Sequence, residues 1–132
     1  MSCKSALYAS NTSNQTLAVG DTINFGSAVR RFGCNCNISG GNVTLDGSGY
    51  YSVNTNITFT ATAAGTAIIT LYKDGAVIPG ATSSLTVTAD GIFAVNIPAI
   101  VRQMCACDST ITAIVTGVAV TVNNAAVTAG KL

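Results

Sequence analysis

Along residues 49–80 (GYYSVNTNITFTATAAGTAIITLYKDGAVIPG) apolar and polar side chains change places at every second position. Tyr51, Val53, Ile57 and Phe59 alternate with Ser52, Asn54, Asn56, Thr58 and Thr60. This is the period of a half-buried strand, in which successive side chains point to opposite faces. Ala67, Ile69 and Leu71 repeat the pattern, and Lys73-Asp74-Gly75 then reads as a tight hairpin turn. The alternation predicts Tyr51, Val53, Ile57, Phe59, Ile69 and Leu71 facing inward. Asn54, Asn56 and Thr58 should lie on the opposite face.

The same reading along the whole chain gives strands and almost no helix. Strands are predicted near residues 5–9, 16–19, 22–25, 31–38, 42–45, 50–61, 66–73, 84–88, 92–97, 99–105, 110–115, 118–122 and 125–130. Turn chemistry separates them at Gly20-Asp21, Gly26-Ser27, Ser39-Gly40-Gly41, Asp46-Gly47-Ser48-Gly49, Ala63-Ala64-Gly65, Asp90-Gly91 and Asn123-Asn124. Short strands at regular spacing with such turns indicate an antiparallel sandwich or barrel. No stretch shows a sustained helical period, and there is no solenoid repeat, low-complexity linker or collagen tract.

Composition bears on partners. The 132 residues are enough for one domain with a real core, and the reading is of a single domain over 1–132. Residues 1–20 within it are expected to be an N-terminal strand or assembly segment. Only 8% of residues are charged against 48% hydrophobic, and the net charge is +1. Thr, Ser and Asn, with 18, 11 and 11 copies, fill most polar positions. Weak surface charge gives little colloidal repulsion, so much of the surface is expected to be buried against other subunits. No basic run could follow a phosphate backbone, which argues against a nucleic-acid partner.

The chain has no His, Trp or Glu; its acids are Asp21, Asp46, Asp74, Asp90 and Asp108. General acid–base catalysis usually relies on His or a tuned carboxylate pair. Each Asp adjoins Gly, Ser or Thr, where capping of a turn accounts for it. A Cys nucleophile would have no His as its base. An enzyme is therefore not expected, and no cofactor is implied. The N-terminus (MSCKSALYAS) lacks the pattern of a secretory signal, and no apolar run reaches the roughly 20 residues of a membrane span. The expectation is synthesis in a host cytoplasm without membrane insertion.

Three segments carry a family resemblance. Gly49-Tyr50-Tyr51-Ser52-Val53 resembles the Gly-x-Tyr strand of jelly-roll domains of the complement-globular-head and tumour-necrosis-factor type. Leu71-Tyr72-Lys73-Asp74-Gly75, followed by Ile78-Pro79-Gly80, is similar to their central hairpin. The run from Val118 to Val127 resembles the last strand pair of bacterial and phage members, including the C-terminal domain of bacillus spore collagen-like glycoproteins. The likeness spans roughly residues 20–132. It implies an all-β, antiparallel ten-strand jelly-roll sandwich that assembles as a homotrimer, with aromatic and aliphatic residues at the three-fold axis. It also implies attachment, display or recognition rather than catalysis. There is no collagen-like stalk, and the scattered aspartates do not form the convergent oxygens of a calcium site.

Two residue groups are candidate sites. Cys34-Asn35-Cys36 and Cys105-Ala106-Cys107 are matched Cys-x-Cys pairs, with Cys3 left over. Positions i and i+2 of a strand face the same way, so each pair would put two sulfurs on one side. Neighbouring strands would bring Cys34, Cys36, Cys105 and Cys107 together as disulfides or a metal site; otherwise they are buried free thiols. Arg30, Arg31 and Arg102 form the notable basic grouping, read as a ligand or interface site for an acidic glycan or a neighbouring virion protein. The competing reading is an inter-subunit ion pair or a charged edge that blocks strand addition. The Ser52, Asn54, Asn56, Thr58 and Thr60 face is either a sugar-binding surface or a plain solvated one.

The sequence thus points to a non-enzymatic structural protein of a phage or phage-like particle. Its place would be in capsid decoration, a fibre or spike tip, or host-surface binding, in contact with other virion proteins or a host-surface glycan. One alternative is a carbohydrate-binding or adhesive module on a bacterial cell or spore surface. The other is a Cys-x-Cys metal-binding protein.

Overall fold

The computed structural model describes residues 5–104 and 108–132. Eleven strands follow one another with no helix among the described residues. They are β1 (Ala6–Asn11), β2 (Gln15–Leu17), β3 (Ser27–Phe32), β4 (Cys36–Ser39), β5 (Asn42–Asp46) and β6 (Gly49–Ala61). After these come β7 (Gly65–Lys73), β8 (Ala76–Val87), β9 (Ile92–Gln103), β10 (Asp108–Thr116) and β11 (Val120–Lys131). Ten form two antiparallel sheets of five, ordered β3-β1-β11-β6-β9 and β4-β5-β10-β7-β8. The short β2 adds to the first sheet by pairing with β11. From β5 onward every connection except the β7–β8 hairpin crosses from one sheet to the other. The protein is an antiparallel jelly-roll sandwich.

Burial explains why these residues became strands. Tyr51, Val53, Ile57, Phe59, Ile69 and Leu71 are all in the core, as the alternation predicts. Between them Thr55 is also buried, and its hydroxyl donates to the Ile97 carbonyl at 3.0 Å. Without that bond a buried hydroxyl would be costly. Phe59 meets Phe93 of the neighbouring strand at a ring-centroid distance of 6.0 Å, a separation at which aromatic pairs attract. On the other face Asn54 and Asn56 are exposed.

The observed boundaries differ from the sequence reading at β8, which begins at Ala76 where a strand was expected only over 84–88, and in four further places. Where two strands were expected over 92–97 and 99–105, residues 92–103 form one strand through Pro98, because β9 is a sheet edge, where proline is tolerated. Residues 120–131 likewise form one strand past Asn123, whose insertion shifts the register between Val122 and Asn124. Its amide donates to Thr60 Oγ1 at 2.8 Å, so the bulge keeps a polar anchor. The stretch 31–38 is instead broken at residues 33–35, where Gly33 has φ 79°. Around residues 22–25 only a bridge between Thr22 and Ile114 forms, although Ile23 and Phe25 are fully in the core. Alternation there reports burial without a ladder.

One turn depends on glycine. Gly117 links β10 to β11 with φ 90°, and a Cβ at that position would run into the Thr66 carbonyl.

Phe59→Ala should lower unfolding stability by about 3–5 kcal/mol, as large-to-small core changes do. Asn54→Ala, on the outer face of the same strand, should stay within about 0.5 kcal/mol. Chemical denaturation of the two variants checks the pair.

Candidate functional site

Cys34 and Cys36 do not share a strand face. The bend at 33–35 leaves Cys34 exposed, while Cys36 opens β4 inside the core. Both are free thiols. This corrects the expectation of two sulfurs on one side, which assumed an unbroken strand through residues 31–38. Burial pushes the Cys36 thiol up to about 11, with nearby Lys131 pulling the other way. A thiol held protonated is a poor nucleophile and a poor metal ligand. Cys3, Cys105 and Cys107 lie outside the described residues. Among the described residues no three His, Cys, Asp or Glu side chains come together.

The residue between the cysteines was not singled out in the sequence, yet it organises this end of the sandwich. Asn35 accepts from Ser5 Oγ at 2.9 Å, and its own N–H donates back to that oxygen at 3.0 Å. Its side-chain amide donates to the Asp46 carbonyl at 2.6 Å, and Asp46 N–H donates to the Asn35 carbonyl at 2.8 Å. The buried Tyr51 hydroxyl lies 2.8 Å from the carbonyls of both Asp46 and Gly47, either of which can accept its proton. This polar knot ties β1, the 33–35 bend, β5 and β6 together, and every buried side-chain donor or acceptor described has a partner. It is built to hold the sandwich end closed.

The aspartates serve turns and strand ends. Asp21 accepts from Ala18 N–H at 2.9 Å, and Asp74 from Thr110 N–H at 2.9 Å. Asp74 and Asp90 adopt φ 52° and 63°, left-handed values that Asp-Gly turns require. The Thr110 backbone bond, then a Ser109 contact, hold the Asp74 carboxyl below its usual range. Asp108 stands directly opposite Asp46 across the β5–β10 pair. A hydrogen bond between the two carboxyls, and then their like charge, raise Asp108.

Arg30, Arg31 and Arg102 are placed on opposite edges of one sheet, Arg30 and Arg31 on β3 and Arg102 on β9. They therefore form two sites. Arg30 and Arg31 border a surface cavity of about 470 Å³ with Tyr8, Phe32, Ser52, Thr128 and Gly130. Arg102 lies over the Tyr50 ring, 5.7 Å from its centroid, beside a cavity of about 370 Å³ walled by Val77, Ile78, Pro79 and Ile100. Lys73 Nζ donates to the Arg102 carbonyl at 3.0 Å across that cavity. A third hollow of about 220 Å³, lined by Asn54, Asn56, Asn96 and Thr55, shares Tyr8 and Thr128 with the first.

No protein-family model and no curated protein sequence matches the chain. Solved structures do. Murine APRIL superposes with TM-score 0.75 at 12% identity over 98% of this chain and 100% of that one. The globular domain of zebrafish complement 1qA protein gives 0.66 at 11%, over 96% and 95%. The PRD1 vertex protein P5 gives 0.64 at 14%, over 97% and 96%. At these identities the likeness shows the fold alone, an antiparallel jelly roll like that of these proteins.

Two measurements test the local chemistry. Alkylation mapped by mass spectrometry should label Cys34 in the folded protein and Cys36 only after denaturant. Stability should also respond to the Asp46–Asp108 pair. Because the Asp108 pKa is raised on folding, its favourable contribution is full below the unfolded value. It is lost as pH rises through the folded value. Asp46→Asn should therefore remove an acid-side gain in melting temperature. The Asp74 contribution runs the other way, being lost as pH falls.

Proposed function

We propose that this protein is a non-enzymatic, trimeric structural component of a phage or phage-like particle, displayed where it can meet a host surface. The observation that carries the reading is the complete jelly roll. Its full length is shared with a phage vertex protein, and also with domains of the complement-head type. A chain without His or Glu, whose aspartates serve turns and strand ends, supports a role without catalysis.

Exposed apolar side chains support assembly. Ile92 and Ile100 on β9, Val77 on β8 and Tyr50 at the adjoining end of β6 are 71%, 66%, 54% and 51% exposed. In a chain of mean hydropathy +0.50 and 8% charge, such an edge is what a subunit contact covers. Placement in the virion, after synthesis in the host cytoplasm, follows from this reading. No described helix is long and apolar enough to cross a membrane. A sugar-binding module on a cell or spore surface is the second reading, favoured by the Asn- and Thr-lined hollow on the open sheet face. Metal binding through the cysteines is disfavoured by the burial of Cys36 away from Cys34.

Light scattering at micromolar concentration should return three times the 13.3 kDa chain mass. Ile100→Asp should shift it toward the single chain. A single-chain mass for the unsubstituted protein would overturn the trimer. Absence of the protein from purified particles, checked by mass spectrometry, would overturn the virion role.

A further inference from the structure

The open face of the first sheet is not flat, and strand register explains why. Across β3, β1, β11, β6 and β9 one row reads Phe32, Ala6, Gly130, Ser52, Ile100. Large side chains stand at both ends and three small ones lie between, so the sheet surface drops into a trough. The next row reads Arg30, Tyr8, Thr128, Asn54, Pro98, and the third brings Asn56 opposite Asn96. The 470 and 220 Å³ hollows are successive parts of this trough, joined at Tyr8 and Thr128. Together they have the size of an extended ligand site.

Its chemistry is specific. Arg30 stands at one end and makes no hydrogen bond or ion pair among the described residues, while Arg31 falls in the row of the buried Leu7, on the other face of β3. No aspartate lies among the residues that line either hollow. Phe32 is 65% exposed and Tyr8 41%, so two aromatic faces are open beside Arg30. Toward the other end the amides of Asn54, Asn56 and Asn96 are exposed and likewise unpaired. Guanidinium groups match carboxylate or sulfate oxygens. Side-chain amides both donate and accept, which suits hydroxyls in any orientation. Aromatic rings offer apolar faces beside a polar tip.

We propose that this trough binds an acidic oligosaccharide, its carboxylate or sulfate held by Arg30. The sugar ring then lies against Tyr8 and Phe32, and its hydroxyls reach Asn54, Asn56 and Asn96. The inference deepens the host-surface branch of the function proposed above and rests on it.

The test is calorimetric titration of the full chain with uronate, sialylated and sulfated oligosaccharides. Their uncharged counterparts and a glutamate peptide of matching charge are run alongside. Saturable binding of an acidic sugar is expected, about tenfold or more tighter than the neutral sugar or the peptide. The carboxylated and sulfated arms show which anion is preferred. Arg30→Ala should weaken binding about tenfold while leaving the fold intact, because the side chain has no protein partner. Gly130→Val should abolish binding by filling the trough floor. A Cβ there meets only the Ser5 carbonyl at 3.7 Å, so the melting temperature should hold. The proposal is overturned by no saturable binding to any acidic sugar, by equal binding of the peptide or neutral sugar, or by undiminished binding in Gly130→Val. Those failures, with a trimer mass and particle incorporation intact, would leave the structural role standing.

Discussion

Both faces of the first sheet depend on the ladder that β6 makes along each of its edges. Tyr51 to Ala61 pair with β11, and Gly49 to Thr60 pair with β9. On the inner side this register sets Val53 between Ala129 and Ala99, and Ile57 between Ala125 and Val95. Large β6 side chains thus find small neighbours on β11. A slip of one residue would turn every one of them to solvent. The same register aligns Gly130, Ser52 and Ala6 on the outer side. Core and trough are two consequences of one alignment, and neither can be altered by sliding a strand without losing the other.

Charge is distributed with similar economy. The aspartates occupy loops and strand ends, where three cap turns or adopt left-handed backbone and two face each other. Arg30 and Arg102 lie instead on a sheet face made of amides, hydroxyls and apolar groups. A net charge of +1 therefore conceals a polarised molecule. An approaching anion meets a face with little to repel it, and the attraction weakens as salt is added.

Strong alternation made the core legible: every inward residue predicted between Tyr51 and Leu71 is buried. Weak points came from interruptions that alternation does not register. Gly33 turns the chain between two stretches that read as one, and so separates Cys34 from Cys36. Pro98 and Asn123 read as breaks but sit within continuous strands, at an edge and at a bulge respectively. Asn35 escaped notice because its role is set by partners 30 and 11 positions away along the chain. The arginines were visible as residue types, but only the sheet order separates Arg102 from the other two. The trough arises from cross-strand rows, which a single sequence does not display.

The four sheet edges share a property that matters while many copies of the chain are being made. On β9, Pro98 removes a backbone donor. On β3, a register shift next to Tyr8 is followed by two arginines. On β8, Pro79 and Gly80 sit where the pairing with β7 skips. The remaining edge, β4, is only four residues long. Each feature spoils the straight row of N–H and C=O groups that another chain would need in order to add a strand. A protein with so little charge cannot rely on mutual repulsion to stay dispersed at high concentration. Its edges supply part of that protection by hindering strand addition, the route to open-ended polymerisation.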